Sequence, residues 1–242
     1  MLKELTKKIT KGLGYEIQGG VRAYAAERTM TEMFRQEQVN LILDVGANCG
    51  QFAEGLWASG YAGRLISFEP LAVPHAKMRA KAGAYPNWTI ADRTAVGSEV
   101  GTVNIHVSEN SVSSSILPML PSHLAAAPQS GYTTTETVPV SRLDDLCSFA
   151  PADRVGLKID VQGFERQVID GAPRVLKACR ALVIEMCLVP LYEDQLLAKD
   201  LWNLLEPMGF EVWSLEPCFR DPATLRALAI DGFFVRWDAT HR

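Results

Sequence analysis

The sequence has no run of about 18 apolar residues, the length that a membrane-spanning helix requires. It also has no excess of positive charge: Lys plus Arg number 24 against 28 Asp plus Glu, a formal net charge of −4. That balance lacks the basic footprint of a nucleic-acid binder. Cysteine is scarce, and Cys49, Cys147, Cys179, Cys187 and Cys218 form no CxxC or CxxH pair. An odd, scattered set argues against a zinc site or a disulfide framework and suits a reducing cytoplasm. The first residues also lack the long apolar core of a secretory signal. Neither an internal repeat nor a linker divides the 242 residues. Apolar residues make up 48% and charged residues 21%, a composition able to bury a core.

From residue 41 onward, short apolar runs alternate with helical patterns, the rhythm of βαβ units and a parallel sheet. Strands are predicted at Leu41–Val45, Leu65–Phe68, Trp88–Ile90, Val155–Ile159 and Ala181–Ile184, with closing strands at Phe210–Leu215 and Gly232–Trp237. An extra strand is expected over Thr102–Val107. Helices are expected over Gln51–Ser59, from Pro74 to Gly83, from Phe164 with an interruption near Gly171 and Pro173, and around Leu197–Met208. Residues 109–138 are rich in Ser, Thr and Pro and show no sustained period, the composition of a lid or a disordered loop. The organisation read from this is one α/β domain over residues 39–242, with 109–138 as an insert and residues 1–38 as a helical extension.

The most informative segment is LILDVGANCG, residues 41–50, a buried strand running through a glycine-punctuated turn into a helix. Glycines let backbone approach a ligand closely, and a helix N-terminus offers free N–H groups. Nineteen residues after Gly50 stands Glu69, at the end of the second strand, where a carboxylate can accept hydrogen bonds from a ribose. The loop Gly46-Ala47-Asn48-Cys49-Gly50 is not GxGxxG, and Asp44 precedes its first glycine. A carboxylate there repels a pyrophosphate but suits the ammonium and sulfonium of S-adenosylmethionine.

Taken together, LILDVGANCG (41–50), ISFEP (66–70), TAVG (94–97), NSVSSSIL (110–117), VSRLDDL (140–146) and LKIDVQGFE (157–165) resemble the FkbM-type S-adenosylmethionine-dependent methyltransferases. The resemblance implies a Rossmann-like class I methyltransferase fold: a seven-stranded, mostly parallel sheet with helices on both faces. It also implies O-methylation of a hydroxyl on a sugar, glycolipid or secondary metabolite. By the same resemblance, Asp44, Gly46, Asn48 and Gly50 shape the methionine end of the cofactor pocket, and Glu69 holds the ribose. Asp92 is expected to approach the adenine, and Ser113 and Ser114 to line the cofactor or substrate edge.

An alcohol is a poor nucleophile unless a base or a metal assists it. Asp160 ends the fourth strand of the sheet and Glu185 the fifth, so both carboxylates are expected at the cofactor's edge, with Glu165 close behind. Two readings follow. In one, Asp160 and Glu185 hold Mg2+, which takes oxygen ligands. In the other, Asp160 or His123 is the base and Glu185 orients the substrate. Strand alternation places Lys158 on the side of Asp160, where it can pair with an acid. A non-catalytic binding module on the same scaffold is the rival of a different class. At the N-terminus, Leu2, Leu5, Ile9 and Leu13 alternate with Lys3, Lys7, Lys8 and Lys11. Such a segment either packs on its own domain or lies on an anionic membrane surface, the second reading favouring a glycolipid acceptor.

Overall fold

The computed structural model describes residues 21–236. In chain order the elements are α1 (Val21–Gln36), β1 (Leu41–Val45), α2 (Gln51–Ala58), β2 (Arg64–Phe68), α3 (Ala72–Ala82), β3 (Trp88–Ile90), β4 (Ala95–Val96) and β5 (Gly101–Ser108). They continue with α4 (Pro121–Ala126), β6 (Tyr132–Ser141), α5 (Leu143–Leu146), β7 (Val155–Ile159), α6 (Glu165–Asp170), α7 (Pro173–Ala178) and β8 (Cys179–Cys187). The last three are α8 (Ala198–Leu205), β9 (Phe210–Arg220) and β10 (Ala227–Arg236). Residues 1–13, with the amphipathic pattern, lie outside the described residues.

Seven strands form one sheet in the order β3-β2-β1-β7-β8-β10-β9. Pairing is parallel from β3 to β8, and β10 runs antiparallel to both β8 and β9. The two central strands, LILDV and VGLKI, are buried at every position, as expected of parallel strands covered on both faces. One face packs against α1, α2 and α3 through Met33, Phe34, Leu56 and Met78. The other packs against α6, α7 and α8 through Val168, Val175, Leu176, Leu201 and Leu205. In α8 the buried Ala198, Leu201 and Leu205 recur at helical spacing. A 3-10 turn follows, and the chain leaves it at Gly209 with φ 85°, a left-handed conformation that glycine adopts without strain.

Two features depart from the sequence reading. The 109–138 segment is neither a bare loop nor disordered, since it contains α4 and most of β6. Strand β6 pairs antiparallel with β5 and parallel with β4 in a separate three-stranded sheet. The period-two signal was present in TVPVS, where Val138 and Val140 point inward. It was masked by the Thr-rich outer face, although Thr is itself a good strand former. The closing strands are also longer than expected, because β10 is already paired with β9 from Ala227 and with β8 from Ala229.

The strand order reverses direction between β1 and β7, so a crevice opens at their carboxyl ends. Open α/β sheets bind ligands at such a switch point.

Candidate active site

The turn after β1 is fixed by backbone geometry. Gly46 has φ 79°, and a Cβ there would lie 1.8 Å from the Asp160 carbonyl oxygen, so the β1 turn packs directly on the β7 turn. The Gly46 and Ala47 N–H groups both donate to the Phe68 carbonyl at 3.1 Å. Asn48 is also left-handed, at φ 47°. Its N–H donates to Glu69 Oε2 at 2.8 Å, while the Leu71 N–H donates to Glu69 Oε1 at 2.8 Å. Gly50 has φ 85°, and a Cβ there would meet the Trp88 ring at 2.5 Å. Glu69 is thus held at the tip of β2, facing the crevice, and is only 4% exposed. Burial pushes its carboxyl up to about 7, against the pull of the Leu71 and Asn48 N–H groups.

Asp44 lies elsewhere than the sequence reading put it. It is fully buried next to the last residue of β1 and does not line the crevice. Its register partners on the neighbouring strands are Ser67 and Lys158. Ser67 Oγ donates to Asp44 Oδ2 at 2.9 Å, and Lys158 Nζ lies 3.3 Å from Oδ1. A carboxylate inside a two-sided sheet needs a cation within the protein, and here Lys158 supplies it rather than a ligand. Lys158 also donates to the Gly46 carbonyl at 2.8 Å and stands 3.7 Å from Asp160. Burial opposes charge on this lysine, but Asp44 and Asp160 outweigh it and raise its pKa.

A single cavity of about 420 Å³ runs along this edge, within the range typical of small-molecule sites. At one end Glu69 stands among Phe68, Leu71, Ala95, Val96, Ile105 and Ile116. At the other end Asp160, Gln162 and Asp231 face Phe52, Val183 and Phe233. Asn48 and Ser114 are among the residues lining the cavity. Ser114 Oγ accepts the Ser108 N–H at 3.0 Å. Ser113 is turned away toward Asn110 and Ser130. Asp92 is exposed on the turn after β3 and is not part of the lining; Thr94, Ala95 and Val96 take that place.

Asp160, Glu185 and Asp231 stand at one level of the sheet. Glu185 pairs with Asp231 across β8 and β10, and Asp160 follows Ile159, the partner of Ile184. Between the first two sits Gln162, at φ 55°. Its Nε2 donates to Asp160 Oδ1 at 2.7 Å and to Glu185 Oε2 at 2.5 Å. Burial raises the Glu185 carboxyl well above its usual range, and Asp160, Asp231 and Glu165 add to the shift. Asp231 is pushed up to about 7 by burial and by Asp160. Glu165 is buried behind this loop, accepts the Val161 and Gly163 N–H groups at 3.3 and 3.1 Å, and is itself pushed up to about 7 by burial.

Residues 44–212 match the Methyltransferase FkbM domain. The chain belongs to the FkbM methyltransferase family. A relative 30% identical over 173 residues, 68% of this chain and 70% of the other, is the 2-O-methyltransferase NoeI of Sinorhizobium fredii (strain NBRC 101917 / NGR234). Among solved structures, magnesium protoporphyrin IX methyltransferase (ChlM) from Synechocystis PCC 6803 overlaps 90% of this chain and 81% of its own, at 12% identity and TM-score 0.49. Precorrin-6y C5,15-methyltransferase from Geobacter metallireducens GS-15 overlaps 88% and 87%, at 13% identity and TM-score 0.45. The fold of this FkbM protein is the Rossmann-like class I methyltransferase fold, with its seven-stranded, mostly parallel sheet.

Two catalytic expectations change in this FkbM protein. His123 is on α4, 4% exposed and packed against Tyr192 and Phe219, outside the cavity lining. Burial without an ionic partner lowers its pKa, which is the environment of a core histidine. Asp160 and Glu185 do meet, but the Gln162 amide fills the space between them with N–H donors. Among the described residues, no group of three or more His, Cys, Asp or Glu side chains could hold a metal ion. With its facing oxygens taken by that amide, the pair lends no support to a Mg2+ site. Sequence reasoning missed Gln162, Asp231 and Met30 in the lining. Gln162 stood inside the recognised KIDVQGFE segment, whereas Met30 lies in the extension that the motifs leave out.

Proposed function

We propose that this methyltransferase uses S-adenosylmethionine to methylate a hydroxyl of a sugar, glycolipid or related secondary metabolite. The observation that carries the reading is one continuous cavity with a buried ribose-type acid, Glu69, at one end and Asp160 at the other. The lining fits an adenosyl group by chemistry. Apolar side chains flank a carboxylate that retains acceptor capacity after taking one backbone N–H on each oxygen. Asn48 and Gly46 frame the turn at its methionine side. When bound, S-adenosylmethionine supplies an electrophilic methyl group on a sulfonium.

The protein's own residues supply the rest. Glu69 accepts the ribose hydroxyls. Asp160, which is 40% exposed at the cavity and 3.7 Å from Lys158, accepts the proton of the acceptor hydroxyl. Phe52, Val183 and Phe233 give that end an apolar wall that keeps water from competing. The NoeI relative, named a 2-O-methyltransferase, supports oxygen as the acceptor atom. A membrane-facing glycolipid is the acceptor that the basic residues 1–13 would favour.

The test is mass spectrometry of a panel of glycosides, glycolipids and phenolic metabolites after incubation with methyl-labelled donor. We expect a gain of one methyl on a hydroxyl, unaffected by chelator. Asp160→Asn should lower turnover by roughly 10²–10⁴-fold, and His123→Ala should leave it within a few-fold. Absence of donor binding by calorimetry would instead favour a non-catalytic module.

A further inference from the structure

We propose that Gln162 is the positioning residue of this site, its side-chain amide setting the place of Asp160 through a bridge to Glu185. The inference rests on the reading that Asp160 faces the acceptor hydroxyl.

Three observations carry it. First, the residue sits at φ 55°, a conformation that costs energy for a non-glycine side chain. Such strain persists only when the surroundings over-determine it. Second, the surroundings do so. Ser115 Oγ donates to the Gln162 carbonyl at 2.6 Å, and the Glu165 carboxyl holds the N–H groups of Val161 and Gly163 on either side. Third, the amide cannot turn over without loss. Tyr192 Oη donates to Gln162 Oε1 at 2.7 Å, which fixes Nε2 toward the two acids. A flipped amide would set its oxygen against both carboxyl groups, and the tyrosine hydroxyl would then have to accept rather than donate.

The chemistry of the bridge follows. Two acids at one level of adjacent strands repel when both ionise. An amide N–H to each one relieves that repulsion and restricts both rotamers. Glu185 is faced by Asp160 from β7, Asp231 from β10, Glu165 from α6 and the Cys218 thiol from β9, 3.6 Å away. Tyr192 and Ser115 belong to segments outside the central sheet, so the bridge also ties those segments to the acid.

The test is a pH titration of the side-chain carboxyl 13C resonances of Asp160 and Glu185, with S-adenosylhomocysteine affinity measured in parallel by calorimetry. Gln162→Leu removes both donors, and the pair's apparent midpoint should rise by about one pH unit. Tyr192→Phe keeps the ring but frees the amide, so a smaller rise of the same sign is expected. Affinity for S-adenosylhomocysteine should stay within about twofold in Tyr192→Phe, whose ring lies outside the cavity lining. Midpoints unchanged in Gln162→Leu, whatever happens to thermal stability, would overturn the proposal and leave Gln162 as a packing residue. If the wild type fails to bind S-adenosylhomocysteine, the functional reading fails, while the titration still decides the role of the bridge.

Discussion

In the proposed reading Glu69 is the residue that recognises the donor, and its environment sets a sign. Its carboxyl, near 4.5 in an unfolded chain, is pushed up to about 7 by burial. The folded protein therefore holds a proton that the unfolded chain releases. Its contribution to stability is full below about pH 4.5 and lost as pH rises through about 7. Binding has the opposite slope, because ribose hydroxyls donate to the ionised form. Affinity for S-adenosylhomocysteine, measured by calorimetry, should rise with pH up to about 7 and then level off. Glu69→Gln should abolish that dependence and weaken binding by roughly tenfold to a hundredfold, the worth of a charge-assisted hydrogen bond. A retained pH dependence in the variant would place the titrating group elsewhere.

At the same scale, Asp44 shows how a motif can give a residue's place along the chain without giving its partner. Its place at the end of a buried strand was legible from LILDVG. Its neutralisation by Lys158 was not, because that pairing depends on β1 and β7 lying side by side in a register that places residue 44 against residue 158. The alternation of Lys158 and Asp160 along the chain told only that both share a face.

Among the elements, the two turns that close on each other matter most. The β1 turn approaches the β7 turn until no side chain fits between Gly46 and the Asp160 carbonyl. Gly46→Ala adds a Cβ in that space at a left-handed φ. We expect a loss of at least about 2 kcal/mol in urea unfolding, together with weaker donor binding, because the β1 turn carries Asn48 and the β7 turn packed on it carries Asp160. Loss of stability alone would mean that the turns relax without moving the site. The insert teaches a similar lesson. Its strand β6 is amphipathic in period two, yet half of it faces solvent with Thr, and its partner β5 is close in sequence but joined through a long excursion. Pairing with β5 and β4, not composition, makes it a strand.

For the whole molecule, the sheet order places Glu69, Asp160, Gln162 and Asp231 along one edge. The cavity also takes Met30 from α1, so part of the predicted extension belongs to the site. Among the described residues no helix is long and apolar enough to cross a membrane. Contact with a lipid surface would fall to residues 1–13. Deleting them should reduce co-sedimentation with anionic liposomes while leaving S-adenosylhomocysteine affinity unchanged. Equal sedimentation of the truncated and full chains would remove the membrane from the account.

The sequence by itself determined the parallel α/β core, the glycine turn and the acids that follow β2 and β7, whereas Glu185 lies within β8, which runs on to Cys187. These are local matters, written in apolar runs, in residues that tolerate left-handed backbone, and in charges where a strand stops. Only the tertiary structure decided which charge answers which. It paired Asp44 with Lys158, turned Asp92 outward, buried His123 among aromatic rings, and set an amide between two acids. Those outcomes depend on register and on distances between segments as much as 114 residues apart, and no local pattern carries that information.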